Sequence, residues 1–96
     1  MKKIKDMTQS EVEQYIDCIF HIHNFIWGVD EENEISLSKR DIFDPNDAFL
    51  FEPTDYIITV SKLWSDEVIY KGSTIDNPDL TFEEICRACN LKTSLF

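Results

Sequence analysis

Apolar residues recur every three or four positions early in the chain. Val12, Tyr15, Ile19, Ile22 and Ile26 form a seam at helical period. Ile16, Cys18, Phe20, Phe25 and Trp27 widen it, and Glu13, Gln14, Asp17, His21 and Asn24 share the narrow polar arc that is left. The pattern predicts one long amphipathic helix over residues 8–28. Thr8 and Glu11 fit the capping box, in which each side chain satisfies a backbone N–H of the other. Met7 and Val12 are spaced to staple that start. Gly28 suits the left-handed position that ends many helices. A helix this apolar has to be covered on more than one side, by the rest of the chain or by a partner.

The rest of the pattern is mostly of period two. Residues 1–7 read as a basic lead-in, either an edge strand or a frayed end. Ile35-Ser-Leu-Ser38 alternates as a short strand, whereas residues 38–43 stay open between strand and a single helical turn, because Ser38 and Asp41 also fit a helix start. Asp44-Pro-Asn-Asp47 has turn chemistry. Ala48-Phe-Leu-Phe51 reads as a strand, and residues 56–64 are the clearest one. Tyr56, Ile58, Val60 and Trp64 share one side of it, and Ile57, Thr59, Ser61 and Leu63 the other. Ser65-Asp66 turns it into an antiparallel partner over residues 67–71, closed by Gly72-Ser73, since the connection is too short for a crossover. Thr81 with Glu84, and Leu80 with Ile85, repeat the cap and staple for a second helix. Phe82, Ile85, Cys86 and Cys89 make its buried face, and Asn90 follows as its left-handed terminator. The order implies one α+β domain over residues 1–96. Its long N-terminal helix packs on a small antiparallel sheet of three to four strands, followed by a short C-terminal helix.

Charge changes the picture from fold to function. Nineteen acids against nine bases give a net charge of −10 and a pI near 4.4. Lys5 and Lys39 enclose eight acids and no base, and Arg40 and Lys62 enclose five acids and no base. Such a surface repels nucleic acid and anionic membranes and is steered toward basic protein surfaces, although solubility alone also accounts for acidity. Spaced carboxylates can imitate the phosphates of a nucleic-acid backbone. The candidate partner-binding residues are therefore Asp30, Glu31, Glu32, Glu34, Asp41, Asp44, Asp47, Glu52 and Asp55. Trp27, Phe43, Phe49, Phe51 and Trp64 stand near them as candidate apolar anchors.

Catalytic and metal chemistry finds less support. Cys18 with His21, and Cys86 with Cys89, are three apart and share helix faces, so together they could supply a Cys₃His zinc site with His23 in reserve. The pairs lack the turn residues that usually present zinc ligands, and free cysteine on an apolar face is a common core residue. Core cysteines, no metal and no cofactor are the expectation. Cys86-x-x-Cys89 lies too far past the helix start for an activated redox thiol. The acidic runs lack the glycine and terminal glutamate of an EF-hand loop, and two glycines cannot build a phosphate cradle. Residues 80–96 resemble the opening of a helix-turn-helix, which would imply DNA binding, but the charge balance opposes it.

These features together indicate no enzyme. The expected function is a small acidic inhibitor, such as a phage or mobile-element anti-defence protein, that occupies the basic nucleic-acid-binding surface of a host nuclease or related enzyme. The alternative is a regulatory, immunity or accessory subunit acting through an apolar interface, with incidental acidity and a possible homodimer. Three cysteines, no apolar leader and no apolar run of membrane length suggest a cytoplasmic protein.

Overall fold

The structure is a computed structural model and describes residues 2–26, 28, 33–43, 55–63, 65 and 67–91. In chain order these form a 3-10 turn at Ile4–Asp6, helix α1 at Gln9–His21 and a π-turn at Ile22–Ile26. Strands β1 (Ile35–Ile42), β2 (Asp55–Lys62) and β3 (Val68–Ser73) follow, then helix α2 at Phe82–Ala88. The strands make an antiparallel sheet in the order β1-β2-β3. The helices lie on one face of it, as an α+β reading requires.

The local signals that predicted the helix ends act as expected. Thr8 Oγ1 accepts from Glu11 N at 3.2 Å and Glu11 Oε1 accepts from Thr8 N at 3.3 Å, completing the capping box. Met7 and Val12 are both buried beside it. At α2, Thr81 Oγ1 accepts from Glu84 N at 3.2 Å, but the reciprocal bond is not formed. Asn90 takes φ 57° and Gly28 φ 63°, the left-handed values foreseen for both. Behind α2, Leu91 N donates to Cys86 O at 2.8 Å and Asn90 N to Arg87 O at 3.3 Å. That pair of bonds is a Schellman turn, and it places Leu91 in the core.

One contiguous core joins the layers. Ile4, Met7, Val12, Ile16 and Ile19 from the N-terminal third meet Ile35, Leu37, Tyr56, Ile58 and Val60 from the sheet. Leu80, Phe82, Ile85, Cys86 and Leu91 close the other side. Tyr15 of α1 stacks on Phe82 of α2 with ring centroids 5.2 Å apart, tying the two helices together. A Cβ at Gly72 would lie 2.8 Å from the Tyr70 hydroxyl and 2.9 Å from its ring edge, so a larger residue there has to displace the Tyr70 ring. Val60 faces Tyr70 and Ser61 faces Val68, so Ile69 is the extra residue of a β-bulge in β3.

Three expectations are corrected and one open reading, at residues 38–43, is decided. Residues 2–7 neither pair as a strand nor fray as a lead-in: Ile4 is fully buried and its N–H donates to Leu80 O at 2.9 Å. Residues 38–43 do not form a helical turn, since β1 runs unbroken to Ile42 and its ladder outweighs the local cap signal. The long helix is not uniformly α-helical, because α1 passes into the π-turn after His21. Cys18 and Phe25 are exposed rather than part of the seam, and Asn24 is buried rather than on the polar arc. The proposed strand at residues 48–51 lies outside the described residues.

Candidate protein-interaction surface

The side chains of β1 alternate. Ile35, Leu37, Lys39 and Asp41 face the helices opposite Lys62, Val60, Ile58 and Tyr56 of β2. The alternation therefore turns Asp41, a candidate contact residue, toward α1. Its carboxylate takes a hydrogen bond from Lys39 Nζ at 2.6 Å, and the same ammonium lies 3.4 Å from Glu13 on α1. Lys39 also stands 5.8 Å from the Tyr56 ring centroid, and its side chain is only 12% exposed. Burial works against its charge, but the hydrogen bonds and charges of Asp41 and Glu13 outweigh it, so its pKa stands above the ordinary lysine value.

Asp55 is also committed. It accepts from Thr74 Oγ1 at 2.7 Å, while that hydroxyl accepts from Tyr56 N at 3.0 Å. Thr74 itself is buried and its N–H donates to Tyr56 O, so Asp55 fastens the end of β3 to the start of β2. Asp41 is therefore not the uncompensated carboxylate that spacing implied, whereas Asp55 is held by a neutral hydroxyl and, among the described residues, meets no base. The base that answers Asp41 lies two residues back on the same strand face, where a count of charges along the chain does not place it. Glu34 precedes β1, and its carbonyl accepts from Leu63 N. Asp41 lies seven residue steps further along, roughly 23 Å, so the described candidates form no single row. Asp30, Glu31, Glu32, Asp44, Asp47 and Glu52 lie outside the described residues, as do Trp27, Phe49, Phe51 and Trp64. Phe43 is exposed at the end of β1.

Five of the eight described bases are engaged in ion pairs. Lys2 binds Glu11 at 3.2 Å, Lys3 binds Asp79 at 2.7 Å and Lys62 binds Glu67 at 3.5 Å; Lys39 and Arg87, the latter with Glu83, complete the set. Among the described residues Arg40 and Lys71 make no ion pair. Both stand on the sheet face away from the helices, Arg40 opposite Ile57 and Lys71 opposite Thr59. That face mixes two bases with hydroxyls and isoleucine, so the surface is not acidic throughout.

The thiol and imidazole groups do not converge. Among the described residues no three of His, Cys, Asp and Glu gather as metal ligands would. Cys86 is fully buried, and burial pushes its thiol up to about 11; burial also raises Cys89. Such thiols stay protonated and are poor nucleophiles at neutral pH. Cys89 lines a cleft of about 260 Å³ with His23, Lys62, Ile35, Ile69 and Leu91. His23 Nε2 lies 3.4 Å from the Asn33 carbonyl.

Phe25, which the periodicity assigned to the apolar seam, stands in solvent beside the half-buried Phe20 and the exposed His21. Phe25 is 65% exposed, with its centroid 5.7 Å from that of Phe20 and 5.5 Å from that of His21. The cause is the π-turn. An α-helix advances about 100° per residue, and the wider i→i+5 turn advances less, so each residue past Ile22 lags behind its α-helical direction. The lag carries Asn24 inward and Phe25 outward. Asn24 Nδ2 then donates to Ile35 O at 2.8 Å and its Oδ1 accepts from Ile35 N at 3.0 Å. These two groups point off the free edge of β1, so the amide replaces a missing strand there. The only sequence signal for this rotation is an asparagine next to two large apolar residues.

Comparison with family models, curated proteins and solved structures finds no match to this chain. Among the described residues no helix is long and apolar enough to cross a membrane.

Proposed function

We propose that this chain is a small acidic inhibitor that binds the basic nucleic-acid-binding surface of a nuclease or related enzyme. A phage or mobile-element anti-defence protein working in the host cytoplasm is the concrete case. The observation that carries the reading is the division of charge. Glu11, Glu13, Asp41, Glu67, Asp79 and Glu83 are answered by lysine or arginine. Residues 29–32 and 44–54, in contrast, hold six carboxylates and no base. The first segment is tethered at the start of β1 and the second at its end. Those tethers are about 25 Å apart along an eight-residue strand. An interface of ordinary size, about 800 Å² per partner, is wide enough to take in both.

The test replaces Asp30, Glu31, Glu32, Asp44, Asp47 and Glu52 by their amides while keeping Asp41 and Asp55. Wild-type protein retains a basic, nucleic-acid-acting enzyme and releases it at moderate salt, because exposed pairs are screened over about 8 Å at physiological ionic strength. The amide variant does not retain it. Equal retention by both proteins places the interface elsewhere.

A second reading rests on exposed apolar side chains. Phe25, Phe43, Val68, Ile69 and Ile75 all face solvent, which favours a regulatory or accessory subunit, or a homodimer, held by apolar contact. Retention that resists salt, or a dimer by light scattering, supports that reading instead.

A further inference from the structure

The exposed face of α1 and the π-turn combines charge with aromatic surface. Glu13 and Asp17 lie one turn apart, and Phe20, His21 and Phe25 continue the same face. Among the described residues Asp17 makes no ion pair, whereas Glu13 is shared with Lys39. A phenylalanine this exposed loses the burial that most phenylalanines obtain. Here the two hydrogen bonds from Asn24 to Ile35 fix the turn that holds Phe25 outward, so its exposure is built into the fold.

We infer that this face is a docking site for an arginine-bearing segment of a basic protein. A guanidinium of that segment lies on the Phe25 ring beside Phe20 and His21, and a second basic side chain of the segment meets Asp17, about two helical turns back along the same face. Arginine fits the ring better than lysine, because its planar, weakly hydrated cation stacks on an aromatic face. The inference rests on the proposed contact with a basic surface and assigns that contact an anchor outside the two acid-rich segments.

The test is an NMR titration of the full-length protein with nona-arginine and, separately, nona-lysine at physiological ionic strength. Wild type, F25A and F25Y are compared, each first checked for an unchanged melting transition. Nona-arginine is expected to bind wild type more tightly than nona-lysine and to shift the amides of Asp17, Phe20, His21 and Phe25. F25A should weaken nona-arginine binding roughly two- to fivefold, the range for a cation–π contact at an exposed site, and erase the preference over nona-lysine. F25Y, which keeps a ring, should restore both. Equal binding of the two peptides, unchanged in F25A, overturns the aromatic anchor and leaves the acidic reading standing. If neither peptide binds wild type, both readings are overturned.

Discussion

Replacing Asn24 by alanine removes one side chain and exposes a physical account of the whole helix end. The amide gives Ile35 O a hydrogen bond of 2.8 Å and takes one of 3.0 Å from Ile35 N, and both bonds are buried. N24A leaves a buried donor and a buried acceptor unmet, each costing about 1–3 kcal/mol. The sum is about 2–6 kcal/mol, and the expected loss lies in its lower part, about 2–4 kcal/mol, because water can enter at a sheet edge. For 96 residues, a total stability of roughly 5–14 kcal/mol is usual, so the loss is a large fraction. Urea denaturation should show it as a lower midpoint at unchanged slope. The melting temperature should fall by roughly 10–20 °C, and the Ile35 amide should lose its protection from hydrogen exchange. N24D should do no better, since a carboxylate keeps the bond from the N–H but repels the carbonyl and buries a charge. A loss below about 0.5 kcal/mol, the scatter of ordinary surface changes, with Ile35 still protected, would refute the role given to Asn24.

D41K sets a second cation against the nearly buried Lys39 and should cost about 1–3 kcal/mol by denaturation, whereas D17K on the exposed helix face should stay within about 0.5 kcal/mol. Lys39 titrates above its unfolded value, so its contribution is whole below the ordinary lysine range and disappears as pH rises through the folded value. D41N should shrink that alkaline loss in a pH series of melts. T8A should cost about 1 kcal/mol of stability. The backbone hydrogen bond from Thr8, and then Lys2, hold the Glu11 carboxyl below its usual value, so its contribution is present above the unfolded carboxylate value and lost as pH falls through the folded one. An aromatic disulfide reagent should label Cys18 at once and Cys86 only on unfolding; equal rates would contradict the burial of Cys86.

The fold was legible where local chemistry and burial agree. The cap at Thr8, the left-handed Asn90 and the alternation of Tyr56, Ile58 and Val60 are each decided within a few residues, and tertiary packing reinforces them. Asn24 and Phe25 were misplaced because helical period assumes a constant turn, while the edge of β1, eleven residues away, rewards a wider one. Charge was harder to read than apolarity. Asp41 stands in a stretch without bases only when counted along the chain; on the strand face it adjoins Lys39 and, through it, Glu13. Asp55 likewise finds Thr74 only when β3 comes alongside β2. Linear charge density thus separates an acidic protein from a basic one, and the register of the sheet decides which carboxylates remain free for a partner.

The most direct test of a charge-driven, protein-binding role is capture from host-cell lysate by wild type and by the variant with Asp30, Glu31, Glu32, Asp44, Asp47 and Glu52 amidated. Elution is stepwise in salt, with identification by mass spectrometry. The account predicts a basic nucleic-acid-acting enzyme that wild type releases at moderate salt, that the amide variant fails to hold, and whose activity purified wild type inhibits. A partner held equally by both proteins, or one that salt does not release, would contradict it.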